Sequence, residues 1–469
     1  MKSLWGVDFE IPEKKIDDKK ILKRVTEKKE TSKDTTTVVK KLKSKSVKIT
    51  LDERLNLIRD EVYRILGVYK EDTICIRDVE TLHNYIDCAI KNGIIAVDTE
   101  TNNSLDPITC KIMGGCIYTP GQKNAYIPVN HVNSEGGLLE RQVTEKDLQR
   151  ELSRLCNTKI IMHNGKFDYS VIKCTCNVEL SIYWDTLIGA KLLDENELSA
   201  GLKQQYISKI DPSIEKYSIE HLFKDVEYAV VDPELFALYA ATDAFMTYKL
   251  YLWQVEQFNK AENKRIKKLF FDIEMPLVVV LAEMEMAGME VDQEYGADLS
   301  VVYHSYLDEV DKQLNTELEK IRPTIDKWRL TPEANYKPPK KTGDGEGKSK
   351  SEQLTDPINM GSPTQLAIVL YDVLKAPVVN KKSPRGTGEA EILAIKEKLK
   401  LPICDLLMKK RELTKLISTY IDSIPELASK WPDGRIRTHF NQYGAATGRL
   451  SCGGEIAFGV GDKVSGINF

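Results

Sequence analysis

No run of eighteen or more apolar residues occurs in the 469-residue chain, so no segment is long enough to span a bilayer as a helix. The first twenty residues carry acids and lysines where a secretory signal requires an apolar core and a small-residue cleavage site. The sequence therefore predicts a cytoplasmic protein without membrane association. Histidine is scarce, its six copies too dispersed for a Ser/His/Asp arrangement, and no GxxxxGK[ST] phosphate loop is present, which argues against nucleoside triphosphate hydrolysis. Cysteine occurs nine times, an odd number scattered from Cys75 to Cys452 in a chain large enough to bury cores without disulfides, and reads as reduced, mostly buried thiol. Cys174 and Cys176 form a CxC pair, but with no second pair or histidine cluster they read as core thiols, not a zinc site.

What is present is an ordinary globular composition, 42% apolar and 29% charged, at a length that suits two or three domains. Charge is unevenly placed. Residues 1–50 hold fifteen Lys/Arg against eight Asp/Glu, a net +7 in a chain of net −4, so the remaining residues carry −11. Lys14–Lys48, rich in Lys, Thr, Ser and Glu, lacks the apolar residues needed to offset ordering entropy and is expected to be a disordered basic leader, a plain tether or a nonspecific DNA contact. Leu55, Ile58, Val62 and Leu66 then mark a short helix over Leu51–Leu66.

From Thr73 the pattern is α/β. Ile94–Val97 reads as a buried strand, Lys111–Tyr118 and Ala125–Val129 as its hairpin partners, Glu145–Leu155 as a helix and Lys159–Met162 as another strand, with helices dominating from Phe167 to Phe258. A mixed sheet flanked by helices is the expected result. Past Lys260 the strand signals fade: Ile273–Met286, Tyr295–Ile321 and Ile403–Ala428 read as helices, and Asn335–Pro357 as a polar, mobile loop.

Three local features carry chemistry. Val97-Asp98-Thr99-Glu100 ends an apolar strand, and strand alternation points Asp98 and Glu100 to the same face. Carboxylates so close repel unless a cation lies between them, and oxygen-only ligation suits a hard ion such as magnesium or manganese. The second, Ile161-Met162-His163-Asn164-Gly165-Lys166-Phe167-Asp168, runs from a strand through a polar turn to another acid. In the third, Leu238-Tyr239-Ala240-Ala241-Thr242-Asp243, a helix stacks Tyr239 and Asp243 one turn apart. Alone, each is compatible with a solvated strand end or a packing tyrosine. Their order and spacing of about seventy residues make them a set.

This set resembles the 3′–5′ exonucleases of the DEDD superfamily, in the subclass with a tyrosine in its third motif, over residues 73–260. The resemblance implies a ribonuclease H-like domain in which Asp98, Glu100 and Asp243 hold one metal, Asp98 bridges to a second, and Asp168 assists through water. Tyr239 would orient the attacking water. Two Mg2+ or Mn2+ ions about 3.5–4 Å apart would stabilise in-line displacement at phosphorus and release a nucleoside 5′-monophosphate. His163 and Asn164 would touch the terminal nucleotides and Leu105 would wedge against the last base. Asp185, in Trp184-Asp185-Thr186, reads as a packing or capping acid.

The rest of the chain resembles the start of the polymerase region of family A DNA polymerases. The carriers are Ile273-Glu274-Met275-Pro276-Leu277 with Met284–Asp292, the stretch Ile358–Leu366, Arg411–Leu416 with Ser418-Thr419-Tyr420, and Gly434–Thr438 with Asn441-Gln442 and Ala446–Ser451. The resemblance implies a mostly helical thumb, with Arg411, Lys415, Arg435 and Arg449 tracking duplex phosphates. It ends after Ser451: Cys452–Phe469 is unlike the family, and the palm carboxylates, fingers lysine and His-Asp-Glu turn are absent from the sequence.

The expected layout is a leader at 1–70, an exonuclease domain at 71–262, the polymerase start and thumb at 263–451 with the loop at 335–357, and a divergent tail at 452–469. The expected function is proofreading-type hydrolysis of single-stranded or frayed 3′ DNA ends, with primer-template duplex as a further partner. Polymerisation by this polypeptide alone is not expected. The setting implied is a bacterial or phage-infected cell, with a gene interrupted at a motif boundary either by an intervening sequence that is read through or by a true split, the palm and fingers lying on a separate chain in the second case. The alternatives are a DNA-binding assembly subunit of little intrinsic activity, and an RNA-processing exonuclease.

Overall fold

A computed structural model of the chain describes residues 51–465 apart from 103, 105, 134, 195, 197–199, 218–219, 224–225, 340–345, 446, 453–454 and 459–461. The basic leader at 14–48 and Leu105 thus lie outside the described residues. Leu51–Leu66 forms the expected amphipathic helix, burying Ile58, Val62 and Leu66.

The α/β part is built on a six-stranded mixed sheet in the order β1-β4-β3-β2-β5-β6. Its strands are β1 (Thr73–Cys75), β2 (Ile94–Thr101), β3 (Ile112–Tyr118), β4 (Asn124–Pro128), β5 (Lys159–Met162) and β6 (Ile182–Asp185). β2 lies between antiparallel β3 and parallel β5, and β6 continues parallel to β5. Ile95, Val97, Ile117, Ile127, Ile160 and Met162 are buried in one core with side chains of the Val79–Asn92 and Glu145–Ser153 helices. β1 and β6 fall outside the expected strands. β6 arises within a span read as helical because Ile182-Tyr183-Trp184 offers the branched and aromatic side chains a pleated surface favours, and it gains its pairing only from distant β5.

The Pro233–Phe258 helix packs across this sheet. Asp232 caps it, accepting the N–H groups of Glu234 and Leu235 at 3.0 and 3.1 Å, and Pro233 supplies a preorganised first turn. Trp184 Nε1 donates to Gln254 Oε1 at 2.8 Å and Gln254 Nε2 to the Thr186 carbonyl at 2.7 Å, tying β6 to this helix. Gly189 permits the close approach, because a Cβ there would lie 2.4 Å from Gln254 Oε1.

Beyond residue 263 the chain is mainly helical, with helices Met275–Ala287, Gln293–Arg329, Glu389–Leu399 and Pro402–Leu416. A second core gathers Leu314, Leu318, Trp328, Leu366, Ile395 and Leu407. Short strands β7 (Met289–Glu290) and β8 (Arg435–Ile436) pair antiparallel. The expected mobile loop at 335–357 is in part packed structure: Ser349 and Glu352 form a capping box, and Ser349 and Leu354 are buried. Lys350, from the same segment, pairs with buried Asp372 at 2.7 Å, a contact its polar composition does not disclose. Four of the nine cysteines are buried, while Cys156 and Cys174 are exposed, fewer buried thiols than the sequence suggests.

Candidate active site

The apolar stretch before Asp98 places β2 at the centre of the sheet, and the antiparallel register sets Asp98 opposite Cys116 and Glu100 opposite Gly114. Side chains of directly opposed residues share a face. Ligand atoms of Asp98, Glu100 and Cys116 accordingly lie within 4.8 Å of one another. Gly114 keeps the floor open for a buried aromatic: a Cβ there would sit 2.4 Å from the Tyr126 ring.

Asp168 enters from the Gly165–Cys176 helix. Its Oδ1 accepts the Thr99 N–H at 2.8 Å and the Thr99 hydroxyl at 2.7 Å, so the residue between the two β2 acids fixes the third. Asn164 begins this helix in the left-handed region (φ 59°), and Asp185 accepts the N–H groups of Asn164 and Gly165 at 3.1 and 2.8 Å. Asp185 also caps the next helix through Leu187 N.

Asp243 and Tyr239 come from the Pro233–Phe258 helix. The Tyr239 ring packs against Phe223 and Phe236, with centroids 4.9 and 5.7 Å away. Lys203, from the Leu202–Lys209 helix, reaches both residues: its Nζ lies 4.7 Å from the Tyr239 ring centroid and 3.8 Å from Asp243 Oδ1.

The electrostatics follow from crowding. Burial, then Asp168, Glu100 and Asp243, push Asp98 well above the usual carboxylate range, with Lys203 opposing. Glu100 is pushed up to about 8 by burial and Asp243, and Asp168 to about 7 by burial against the opposing Thr99 hydrogen bonds. Burial and the same acids raise the Cys116 thiol far above its ordinary value. Excess negative charge in a low-dielectric site is what a divalent cation relieves, and the acids supply the hard oxygen donors such an ion takes.

The four predicted acids thus belong to one electrostatic neighbourhood, and Lys203, which reaches both Asp243 and the Tyr239 ring, links the tyrosine to it. Asn164 is exposed at the start of the helix that carries Asp168. His163 turns inward, its Nδ1 2.8 Å from Thr186 Oγ1, and burial lowers it to about 4, so it is neutral near pH 7. Cys116 and Lys203 are site residues that sequence reasoning misses. Alternation along β3 hints at Cys116, but only the register brings it opposite Asp98, and nothing local marks Lys203.

The cations predicted to follow duplex phosphates divide into two pairs. Arg411 donates to the Thr387 carbonyl, and Arg435 to the Ala287 carbonyl at 3.0 Å while lying 3.6 Å from Glu290, so both have internal partners. Lys415 and Arg449 are exposed.

The 3′–5′ exonuclease family matches residues 73–253, and DNA polymerase family A matches residues 342–454. Two separate stretches of the chain are thus similar to the two parts of a DNA polymerase I-like protein of family A. It is 28% identical over 420 residues to DNA polymerase I of Treponema pallidum, covering 80% of this chain and 37% of the relative. It is 30% identical over 367 residues to DNA polymerase I of Synechocystis, covering 76% and 32% respectively. The DNA polymerase of Escherichia phage T5 is 28% identical over 319 residues, covering 64% of this chain and 34% of the phage protein. The chain spans about a third of the length of these relatives. Among solved structures, the polymerase domain of Pol1 from M. smegmatis, in complex with DNA primer-template and dNTP, shares the fold at a TM-score of 0.51 and 20% identity, covering 81% of this chain and 54% of that one. The fold class is a mixed-sheet exonuclease domain joined to a helical region, as the sequence implied. Among the described residues, no helix is long and apolar enough to cross a membrane.

Proposed function

We propose that the chain is a proofreading-type 3′–5′ exonuclease acting on single-stranded or frayed DNA ends, with Asp98, Glu100, Asp168 and Asp243 as its metal ligands. The observation that carries this reading is geometric: ligand atoms of Asp98, Glu100 and Cys116 lie within 4.8 Å of one another, Thr99 between the two β2 acids holds Asp168, and Asp243 and Asp168 both act on the pair, raising them above the usual carboxylate range. Two bound Mg2+ or Mn2+ ions would supply an activated water and charge stabilisation at the attacking and departing oxygens.

The chain's own residues do the rest. Thr99 holds Asp168 in place through its backbone N–H and its hydroxyl, both donating to one carboxylate oxygen. Tyr239, braced by Phe223 and Phe236, orients the water through its hydroxyl. Asn164, exposed at the helix start, contacts the terminal nucleotide. His163 serves from beneath: neutral and bonded to Thr186, it supports the turn that presents Asn164. Lys415 and Arg449 contact primer-template phosphates, and the region of residues 263–451 acts as a thumb following an exonuclease domain at 71–262. The kinship with bacterial and phage DNA polymerases supports work in the cytoplasm of a bacterial or phage-infected cell.

The test is a 5′-labelled single-stranded DNA oligonucleotide incubated with the protein in Mg2+ or Mn2+. Ladders shortening from the 3′ end and abolished by Asp98→Ala are expected. No digestion in either metal would overturn the proposal, and faster cleavage of RNA than of DNA would reassign the substrate.

A further inference from the structure

The Gly165–Cys176 helix is gripped from two directions. On the sheet side Asp185 holds the N–H groups of Asn164 and Gly165. On the other side Lys166, only 8% exposed, extends out of the α/β region. Its ammonium donates to Glu285 Oε1, on the Met275–Ala287 helix, and to the carbonyl of Phe440, with His439 Nδ1 at 3.4 Å. Glu285 Oε1 in turn accepts the Phe440 N–H at 2.6 Å, and Glu285 Oε2 lies 3.5 Å from His439 Nδ1. Further along the same face, Tyr169 and Lys173 both donate to Glu283 Oε1 at 2.6 Å.

These contacts do more than glue two surfaces together. A buried ammonium shared by a carboxylate and a backbone carbonyl tolerates one placement, whereas apolar packing tolerates small slides. Lys166 stands two positions before Asp168 and two after Asn164, so any slide of its clamp moves both. The other end of the clamp is backbone: Phe440 begins a short strand, Phe440–Asn441, within the 434–451 span whose residues resemble the first polymerase motif.

We propose that Lys166 is a positioning residue for 3′-end hydrolysis, setting Asp168 and Asn164 through Glu285 and the Phe440 backbone and thereby coupling the exonuclease centre to the 436–443 segment. This rests on the reading of Asp168 as a metal ligand. The experiment uses the full chain as wild type, Lys166→Met, Lys166→Arg and Glu285→Gln. Three quantities are read: Mn2+ affinity by electron paramagnetic resonance, kcat and KM on single-stranded DNA at saturating Mg2+, and hydrogen exchange of peptides covering 164–170 and 436–443.

Lys166→Met is expected to weaken Mn2+ binding and lower kcat, each about tenfold or more, as loss of a group orienting a ligand does. KM should rise by less than kcat falls, since only the Asn164 contact bears on binding, and exchange should rise in both peptides together. Lys166→Arg, which keeps a donor, should recover part of kcat. Wild-type Mn2+ affinity and kcat in Lys166→Met, or faster exchange confined to 164–170, would overturn the proposal. Should Lys166→Met fail to fold, Glu285→Gln carries the same three readouts, and the same outcomes support or overturn the clamp. If the wild type does not cleave DNA, the exonuclease reading fails by itself, and Mn2+ affinity with paired exchange still decides whether the clamp positions Asp168.

Discussion

The sheet region and the helical region both draw acids wholly or partly out of solvent, but they treat them differently. In the helical region Asp372, buried, is met by Lys350 at 2.7 Å and by the Arg385 guanidinium, and its carboxyl is held below the usual range by those cations against the effect of burial. In the sheet region Asp98, Glu100 and Asp168 face one another and Asp243, with Lys203 as the cation that opposes their repulsion, and all three are pushed upward. A neutralised buried charge holds a fold together. A cluster of acids with too little positive charge weakens the fold unless a ligand completes it, which is why perturbed acids mark sites and paired ones mark scaffolds.

The contrast is sharpest on substitution. Asp98→Asn should cost about a thousandfold in exonuclease rate, since one metal ligand is worth several kcal/mol at the transition state. It should also raise the melting temperature of the metal-free protein by relieving repulsion. Retained activity, or a lower metal-free Tm, would break the comparison. Asp372→Asn should do the reverse, lowering stability by about 2 kcal/mol in urea unfolding while the rate per folded molecule is unchanged.

The pH dependence sharpens it further. Because the folded Glu100 titrates near 8 against 4.5 when unperturbed, the unfolded chain releases this proton first as pH rises. The stability of the metal-free protein should therefore fall between about pH 4.5 and 8 on this account. Mg2+ should reverse the fall and release protons on binding, which calorimetry in two buffers of different ionisation enthalpy measures; a heat independent of buffer at pH 7 would count against it. Lys203→Met removes the opposing cation, so the acidic limb of the pH–rate profile should move to higher pH. An unmoved limb would show Lys203 to be a bystander. The smallest effects belong to exposed thumb cations: Lys415→Ala and Arg449→Ala should each lower the salt slope of DNA binding by about one, with little effect on single-strand cleavage.

Much of the site is legible without coordinates because its acids sit in local contexts that announce them. An apolar run ending in Asp98-Thr99-Glu100 fixes two carboxylates on one face by strand geometry, and the four-residue step from Tyr239 to Asp243 needs only a helix. β6 is not legible in this way because its pairing partner lies some twenty residues away, nor is the packing of residues 349–354, because its stabilising contact, Asp372, is distant in sequence. His163 shows the same limit: its place beside Asn164 suggests a nucleotide contact, yet its ring is bonded to Thr186, which opens the helix after β6.

By itself, then, the sequence determined the identity of the acids, their order and the kind of element carrying each, since these follow from periods of 2 and 3.6 and from short apolar runs. Tertiary structure alone decided that Cys116 lies opposite Asp98, that Lys203 reaches Asp243, and that Lys166 is bound to Glu285 and Phe440. Those pairings depend on strand register and on how separate helices meet. No property of either partner's own neighbourhood in the chain encodes them, because they exist only once remote segments have been brought within a few ångströms of each other.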